Sequence, residues 1–274
     1  MVVQPAPKTE MTALLQAKDV TLRFGGLVAL QDFCLEIASG ELIGIIGPNG
    51  AGKTTAFNVL TGIYRPSAGD VRCANVPLRN LAPAQISRLG LARTFQNIRL
   101  FQGFSVLDTV AVACHARRSC SIGATLAGLP SALRHESDIE RFAMTCLTRV
   151  GLHHRAQDEA QSLPYGEQRR LEIARALGTE PRILMLDEPA AGLNASERTE
   201  LIALIRRLRD ESGIAVLLIE HDMKLVMGLC ERLLVLDHGC TIARGNPDQI
   251  RCDPAVIEAY LGDTSFLRPA ESAS

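Results

Sequence analysis

The fold is decided by the stretch Gly47-Pro48-Asn49-Gly50-Ala51-Gly52-Lys53-Thr54-Thr55. It follows the apolar run Leu42 to Ile46 and leads into Thr54 to Thr61, whose pattern predicts a helix. A strand that ends in a glycine-rich turn and continues as a helix directs backbone N–H groups and the positive helix end at one point. The spacing Gly, four residues, Gly, Lys, Thr is that of a phosphate-binding loop. The sequence therefore predicts a nucleoside triphosphate site.

Two side chains of this loop have predicted roles in phosphoryl-transfer chemistry. Lys53 is expected to reach the β and γ phosphates, and the Thr54 hydroxyl is expected to hold Mg²⁺. The backbone N–H groups of the loop would bind the phosphates. The alternative is a structural glycine turn before a helix, which the complete pattern disfavours.

Composition indicates a folded, globular chain. Its 274 residues are 47% hydrophobic with a formal net charge of −1, and the length allows one large or two small domains. Nucleic-acid binding usually shows as a basic excess or stripe, so we expect no nucleic-acid partner. No apolar stretch approaches the roughly 18 to 20 residues that a membrane helix needs.

The N-terminal residues 1–13 are expected to be a disordered leader, with Met11 a second candidate start. The segment Met1 to Glu10 has no basic cluster followed by an apolar block, so it does not resemble a secretory signal. Eight cysteines without metal-like spacing predict reduced thiols that pack as small hydrophobes. These features favour residence in the cytosol.

Short apolar runs alternate with helical patterns, which predicts an α/β fold with a mostly parallel sheet. Strand-like runs around Gly25-Gly26 predict an antiparallel β region before the phosphate loop. Asn194 and Glu197 form a helix-start signal before an apolar stripe of Leu201, Leu204, Ile205 and Leu208. Residues 96–162 contain helical segments around Val106 to Arg117 and Glu136 to Val150. We therefore predict an ATPase-type core at 14–95 and 163–245, an inserted helical subdomain at 96–162, and a C-terminal extension and tail at 246–274.

A second group of chemistry-bearing residues follows the apolar run Ile183 to Leu186. Asp187 and Glu188 stand at the carboxyl end of this predicted strand, where open α/β sheets bind ligands. In phosphoryl transfer, Asp187 would bind Mg²⁺ and Glu188 would polarise the water that attacks the γ phosphate. A solvated strand end is the alternative for such a pair in isolation.

Upstream of this pair, a predicted helix begins in Leu163-Pro164-Tyr165-Gly166-Glu167. Here the sequence resembles the ATP-binding cassette family, whose signature reads Leu-Ser-Gly-Gly-Gln. The family's motifs occur in the family's order over roughly residues 14 to 245, with the phosphate loop at 47 to 55 first and the signature third. The others are the Gln loop Thr94-Phe95-Gln96-Asn97, then Asp187-Glu188-Pro189, the turn Ala191-Gly192-Leu193-Asn194, and Glu220-His221-Asp222.

The resemblance implies a head-to-tail dimer with two ATP molecules between its subunits. Each site would combine the phosphate loop of one subunit with the signature of the other, so Gly166 and Glu167 would contact ATP in trans. The signature Ser is replaced here by Pro164, and Tyr165 and Asn194 are further departures. Losing one neutral hydrogen bond costs about 0.5 to 1.5 kcal/mol, which predicts slower hydrolysis. Backbone N–H groups at the helix start would remain available.

The resemblance also assigns roles to residues outside the loop. Phe24 would stack on adenine, and Gln96 would contact Mg²⁺ or the attacking water. His221 would hydrogen-bond the γ phosphate and hold Glu188 in place. The alternatives are a core phenylalanine for Phe24 and a capped loop residue for His221.

Three stretches resemble the larger ATPase subunit of branched-chain amino acid importers, in which a residue other than Ser is usual at the Pro164 position. They are Thr94 to Phe101, Pro164 to Arg175 and Asp187 to Asn194. This implies a peripheral protein on the cytoplasmic face of the inner membrane that works with a second ATPase subunit and two membrane permease subunits. An external solute-binding protein would be an indirect partner. Residues near Gln96 to Phe104 and the helical insert would receive the coupling helix of a membrane subunit in a groove.

Other functions stay open at this point. An importer of amides, urea or other hydrophobic amino acids would have the same core, because the solute does not touch the ATPase. A soluble cassette ATPase acting on ribosomes or DNA usually has two cassettes or a long coiled-coil insert, and neither is present. A regulator that no longer hydrolyses ATP is disfavoured by the complete set of expected catalytic residues.

Overall fold

The computed structural model describes residues 13–95, 98, 100–117 and 130–260. The strands in these ranges are β1 (Leu15–Phe24), β2 (Leu27–Ile37), β3 (Leu42–Ile46), β4 (Ala68–Cys73), β5 (Val76–Pro77), β6 (Leu91–Arg93), β7 (Ile183–Asp187), β8 (Ala215–Ile219), β9 (Arg232–Asp237) and β10 (Cys240–Gly245). The α-helices are α1 (Lys53–Leu60), α2 (Pro83–Arg88), α3 (Val106–Cys114), α4 (Pro130–Arg149), α5 (Tyr165–Leu177), α6 (Ala195–Ser212), α7 (Met223–Leu229), α8 (Pro247–Cys252) and α9 (Pro254–Tyr260). Two short 3₁₀ turns are at His153–Arg155 and Ala160–Ser162.

The larger sheet has the strand order β10-β9-β3-β8-β7-β6. All pairs are parallel except β10 with β9, which confirms the predicted mostly parallel sheet. Side chains alternate between the two faces of a strand, so Ile43 and Ile45 enter one core and Leu42 and Ile46 enter the other. Because both faces are covered, the central strands are continuous apolar runs.

The smaller sheet is antiparallel, with the order β2-β1-β4-β5, as predicted for the N-terminal region. The first two strands form a hairpin around Gly25, whose positive φ of 58° suits a tight turn. Phe33 from β2 and Phe57 from α1 are completely buried in the core that this sheet shares with one face of the larger sheet. The phosphate-loop helix is therefore fixed between the two sheets.

A helical region packs on the opposite face of the larger sheet. Helices α3, α4 and α5 contact one another, and their core side chains include Val110, Ile139 and Leu171. Helix α3 ends at Cys114, three residues before the predicted end, and α4 begins at Pro130, before the predicted Glu136. Because α5 shares the core of α3 and α4, the helical layer extends into the signature segment. The exact domain boundaries stay a prediction.

Helix α6 begins as the sequence predicts. The Asn194 side chain accepts a bond from the Glu197 N–H at 3.0 Å, and the Glu197 carboxylate accepts one from the Asn194 N–H at 2.9 Å. This reciprocal capping box satisfies two backbone donors. The predicted apolar stripe is buried, and Gly213, in the left-handed conformation, ends the helix. Among the described residues, no helix has both the length and the apolar character to cross a bilayer.

Replacing Leu217 by Ala tests the central position of β8. Leu217 is completely buried, so the cavity is expected to cost about 2 to 5 kcal/mol of the free energy of unfolding. The matched control is Leu27→Ala, because Leu27 is 67% exposed and its loss is expected to change stability by less than about 0.5 kcal/mol. Urea denaturation of both variants gives the two values, and equal losses would contradict the described core.

Candidate active site

Two glycines of the phosphate loop have positive φ and leave little space for a side chain. Gly47 has φ 150°, and a Cβ there would lie 2.1 Å from the Leu236 carbonyl oxygen. Gly52 has φ 98°, and its Cβ would lie 3.0 Å from the Ala29 carbonyl oxygen. Gly52 is also the N-cap of α1 and makes no side-chain cap bond. The N–H groups of the first helical turn therefore have no capping partner and fit an anionic ligand.

Lys53 lies inside this loop. Its ammonium donates hydrogen bonds to the carbonyl oxygens of Gly47 at 2.7 Å and Pro48 at 2.8 Å. Burial lowers the pKa of Lys53, and the Glu188 carboxylate opposes that shift. A buried cation held by neutral carbonyls attracts an anion strongly, because burial of unpaired charge is costly. The loop residues Asn49, Gly50 and Thr54 are exposed, and Pro48 and Thr55 are half-buried. The donors at this site thus suit a nucleoside triphosphate.

Asp187, at the end of β7, forms a buried ion pair with Arg93 at the end of β6. Arg93 Nη2 lies 2.7 Å from Asp187 Oδ2, and Arg93 Nη1 donates to Asn58 Oδ1 at 2.7 Å. The guanidinium also lies over the rings of Phe57 and Phe95, 5.5 and 5.4 Å from their centroids. Arg93 therefore connects the expected metal ligand to helix α1 and to the Gln loop.

Sequence reasoning missed Arg93. It is the residue directly before Thr94-Phe95-Gln96, and it is the charged member of a short strand with two buried neighbours, Leu91 and Ala92. That placement was a usable signal, because a charged residue in a buried strand needs a partner.

Glu188 and His221 meet where β7 and β8 end. His221 Nδ1 lies 3.9 Å from Glu188 Oε1, which is an ion-pair distance if the imidazole is protonated but is longer than a hydrogen bond. Glu188 has φ 47°, in the left-handed region that residues other than glycine seldom occupy. Its N–H donates to the Ile219 carbonyl oxygen at 3.0 Å. The structure thus brings together the two residues that the sequence assigned to one reaction.

The signature segment begins helix α5 at Tyr165, with Pro164 as the residue before it and no side-chain cap. The Tyr165 hydroxyl accepts bonds from Arg169 Nη2 at 2.7 Å and Nε at 3.1 Å. Gly166 is closely packed, since a Cβ there would lie 2.6 Å from Glu197 Oε1. The helix start is therefore held by its own chain while its backbone N–H groups are left uncapped.

The side chain of Glu167 faces its own subunit. Its Oε2 lies 3.6 Å from Arg155 Nε, and its Oε1 lies 4.0 Å from Arg170 Nη2. Two arginines of the same chain thus face the Glu167 carboxylate.

Phe24 lies at the end of β1 and is 47% exposed. Its ring packs edge-to-face against Tyr64, with centroids 5.3 Å apart and an interplanar angle of 80°. The core-phenylalanine alternative is therefore wrong, because this side chain offers an open aromatic surface. Gln96, the expected contact to Mg²⁺ or water, lies outside the described residues.

Removal of Arg93 tests the buried pair. We expect Arg93→Met to lower the free energy of unfolding by about 3 to 5 kcal/mol, because it leaves Asp187 as a buried charge without its partner. The matched control is Arg72→Met, whose exposed pair with Asp70 at 2.8 Å contributes less than about 1 kcal/mol. Denaturant unfolding of both variants measures the difference, and comparable values for the two arginines would contradict the buried pair.

Comparisons with known proteins agree with this geometry. Residues 30–191 match the family model of the ABC transporter, and residues 240–264 match the model of the branched-chain amino acid ATP-binding cassette transporter. The chain is 48% identical over 250 residues to the high-affinity branched-chain amino acid transport ATP-binding protein LivG of Escherichia coli K12, covering 91% of this chain and 98% of LivG. The chain is 46% identical over 250 residues to the corresponding protein BraF of Pseudomonas aeruginosa, with 91% of this chain and 98% of BraF covered.

A more distant relative is the lipopolysaccharide export system ATP-binding protein LptB of Acidithiobacillus ferridurans, 35% identical with 92% of this chain and 98% of LptB covered. Among solved structures, the ADP conformation of MJ1267, an ATP-binding cassette of an ABC transporter, superposes with a TM-score of 0.78. It is 28% identical and is matched over 92% of this chain and 100% of its own. The chain therefore belongs to the ABC transporter family, as an ATP-binding cassette that hydrolyses ATP.

Proposed function

We propose that this chain is the ATP-hydrolysing subunit of an importer for branched-chain amino acids. The observation that carries the proposal is the match of residues 240–264 to the branched-chain amino acid family, together with 46–48% identity to LivG and BraF. The shared core alone cannot decide the solute, because it is also 35% identical to a lipopolysaccharide export protein. The C-terminal segment and the higher identity favour amino acid uptake.

The proposed ATP site uses the phosphate loop of this chain. Backbone N–H groups of residues 47–55 and the ammonium of Lys53 would bind the triphosphate, and Phe24 would stack on adenine. Thr54 and Asp187 would hold Mg²⁺, with Gln96 as a further ligand. The ion supplies charge neutralisation on the β and γ phosphates. Hydroxyl and carboxylate oxygens are donors that Mg²⁺ prefers, so the residues fit the ion.

The proposed hydrolytic residues are Glu188 and His221. Glu188 would accept the proton of the attacking water, and His221 would orient the Glu188 carboxylate and donate to the γ phosphate. Arg93 fixes the position of the Asp187 carboxylate through their buried ion pair, in which Arg93 Nη2 lies 2.7 Å from Asp187 Oδ2. Each of these side chains starts from the end of a buried strand, so their relative positions are restrained before any ligand binds.

The proposed assembly pairs this chain with a second cassette ATPase and two membrane permease subunits, at the cytoplasmic face of the inner membrane. The uncapped start of α5, including the backbone of Gly166 and Glu167, would contact nucleotide held by the second cassette. Phe101 and Phe104 pack edge-to-face and are 50% and 37% exposed. This exposed aromatic pair lies within the segment expected to contact the permease and would add apolar area to such a contact.

Uptake measurements test the proposed solute. Cells that lack this gene should lose most uptake of radiolabelled leucine, isoleucine and valine, and the wild-type gene should restore it. Glu188→Gln should not restore uptake, because loss of a general base lowers turnover about 100-fold or more. Glu211→Gln, an exposed glutamate on α6, is the matched control and should restore uptake fully. Normal uptake in the deletion strain, in the absence of a redundant system, would overturn the proposed solute.

Nucleotide binding tests the role of Lys53. ATP should raise the melting temperature of the wild type, and Lys53→Ala should remove most of that rise. The charge-assisted bonds to phosphate predict about tenfold to hundredfold weaker ATP binding. The exposed Lys18→Ala variant should respond to ATP as the wild type does. An unchanged ATP affinity in Lys53→Ala would rule out the proposed phosphate contact.

A further inference from the structure

A buried carboxylate lies between the two catalytic segments of the proposed site. Glu220 follows β8 and is only 1% exposed. Its Oε1 accepts a hydrogen bond from the Ala190 N–H at 2.8 Å, and its Oε2 accepts one from the His221 N–H at 3.3 Å. Both donors belong to the main chain. One side chain therefore connects the backbone that follows Glu188 to the backbone of His221.

The chemistry of this carboxylate suits a holding role. Burial raises the pKa of Glu220, and the backbone bonds from Ala190, His221 and Asp222 act against that rise by favouring the charged form. A buried acid is costly compared with an apolar residue, and the preceding strand residues Ala215–Ile219 are all apolar and buried. A carboxyl group has two oxygens, and each can accept a hydrogen bond from a backbone N–H. An acid at this position therefore joins the backbones of Ala190 and His221 through hydrogen bonds, which an apolar residue cannot form.

The segment that Glu220 holds is the one that needs restraint. Glu188 has a left-handed backbone, and its N–H is bound to the Ile219 carbonyl oxygen at 3.0 Å. Pro189 has no N–H, and the next donor, on Ala190, is bound by Glu220. Both main-chain donors that flank Pro189 are thus attached to the end of β8. A strained conformation persists only where its surroundings fix it in this way.

We propose that Glu220 is a positioning residue that sets the placement of Glu188 relative to His221 through the main chain of both segments. The inference rests on the proposed function, in which Glu188 and His221 act on the attacking water and the γ phosphate. Glu220 itself does not touch the reacting atoms, because its carboxylate is buried and engaged by backbone donors.

The test is Glu220→Gln in the full-length chain. The amide keeps the size of the side chain but places an NH₂ group against a backbone N–H, so one of the two attachments is lost. We expect kcat for ATP hydrolysis to fall about tenfold to hundredfold, because small misplacements of reacting groups have effects of this size. The Kd for ATP should stay within about twofold of the wild type, because the phosphate loop is unchanged.

Hydrogen exchange gives a readout that does not depend on activity. In Glu220→Gln, peptides that contain Ala190 and His221 should exchange faster, while peptides from β1 and β2 should be unchanged. The matched control is Glu172→Gln, which removes a buried carboxylate paired with Arg175 on α5 and should leave the exchange of Ala190 and His221 as in the wild type. Faster exchange throughout the Glu220→Gln chain, with ATP affinity and kcat falling together, would overturn the inference, because it indicates a general structural role.

Two further variants separate this inference from the proposed function. If Glu188→Gln and His221→Ala lose hydrolysis while Glu220→Gln keeps the wild-type kcat, the positioning role is wrong and the proposed function stands. If Glu188→Gln hydrolyses ATP normally, the proposed base is wrong and the positioning role falls with it. Should Glu220→Gln fail to fold, Glu220→Asp retains the charge and shortens the reach by one methylene. A lowered kcat with unchanged ATP affinity in that variant supports the inference, and a wild-type kcat overturns it.

Discussion

Parallel pairing of buried strands is the constraint on which the site depends. In the larger sheet, β3 pairs with β8, β8 with β7, and β7 with β6, all in the same direction. Parallel strands end at one edge, so the segments that follow them must meet there. Asp187 is directly opposite Ile219, which places the Asp187-Glu188 pair beside Glu220 and His221. Four residues from two segments of the chain, Asp187 and Glu188 with Glu220 and His221, thus form one cluster, and apolar cores cover both faces of the strands that carry them.

Charge at this edge is fixed by several short attachments. Arg93 holds Asp187, two loop carbonyls hold Lys53, and two backbone amides hold Glu220. In a low-dielectric interior each such bond is stronger than in water, and each unpaired group would be costlier. The left-handed backbone of Glu188 persists only because its neighbours are held in this way. The chemistry of the proposed site therefore depends as much on residues that never touch nucleotide as on those that do.

The sequence predicted the features that local patterns determine. The phosphate loop, the strand before Asp187 and the cap and stripe of α6 each depend on spacing within a few residues, and the structure places them as expected. Contacts between distant segments do not follow from local patterns, and the one that was predicted, His221 with Glu188, came from the family resemblance. Arg93 meets Asp187 across 94 positions, and Glu167 faces Arg155 in the helical layer. The end of α3 at Cys114 and the start of α4 at Pro130 also differed from the predicted bounds, since tertiary packing decides where a weak helical pattern begins and ends.

The start of α5 has a consequence for how freely its sequence can change. Its side chains are used within the subunit, with Tyr165 bonded to Arg169 and Glu167 facing Arg155 and Arg170. What remains for an anion is the helix dipole and backbone N–H groups, which every residue except proline provides. Recognition by main-chain atoms makes few demands on residue identity, provided that the helix begins at the same place. Such a surface can diverge between members of a family, and thus between partners, without the loss of its attraction for phosphate.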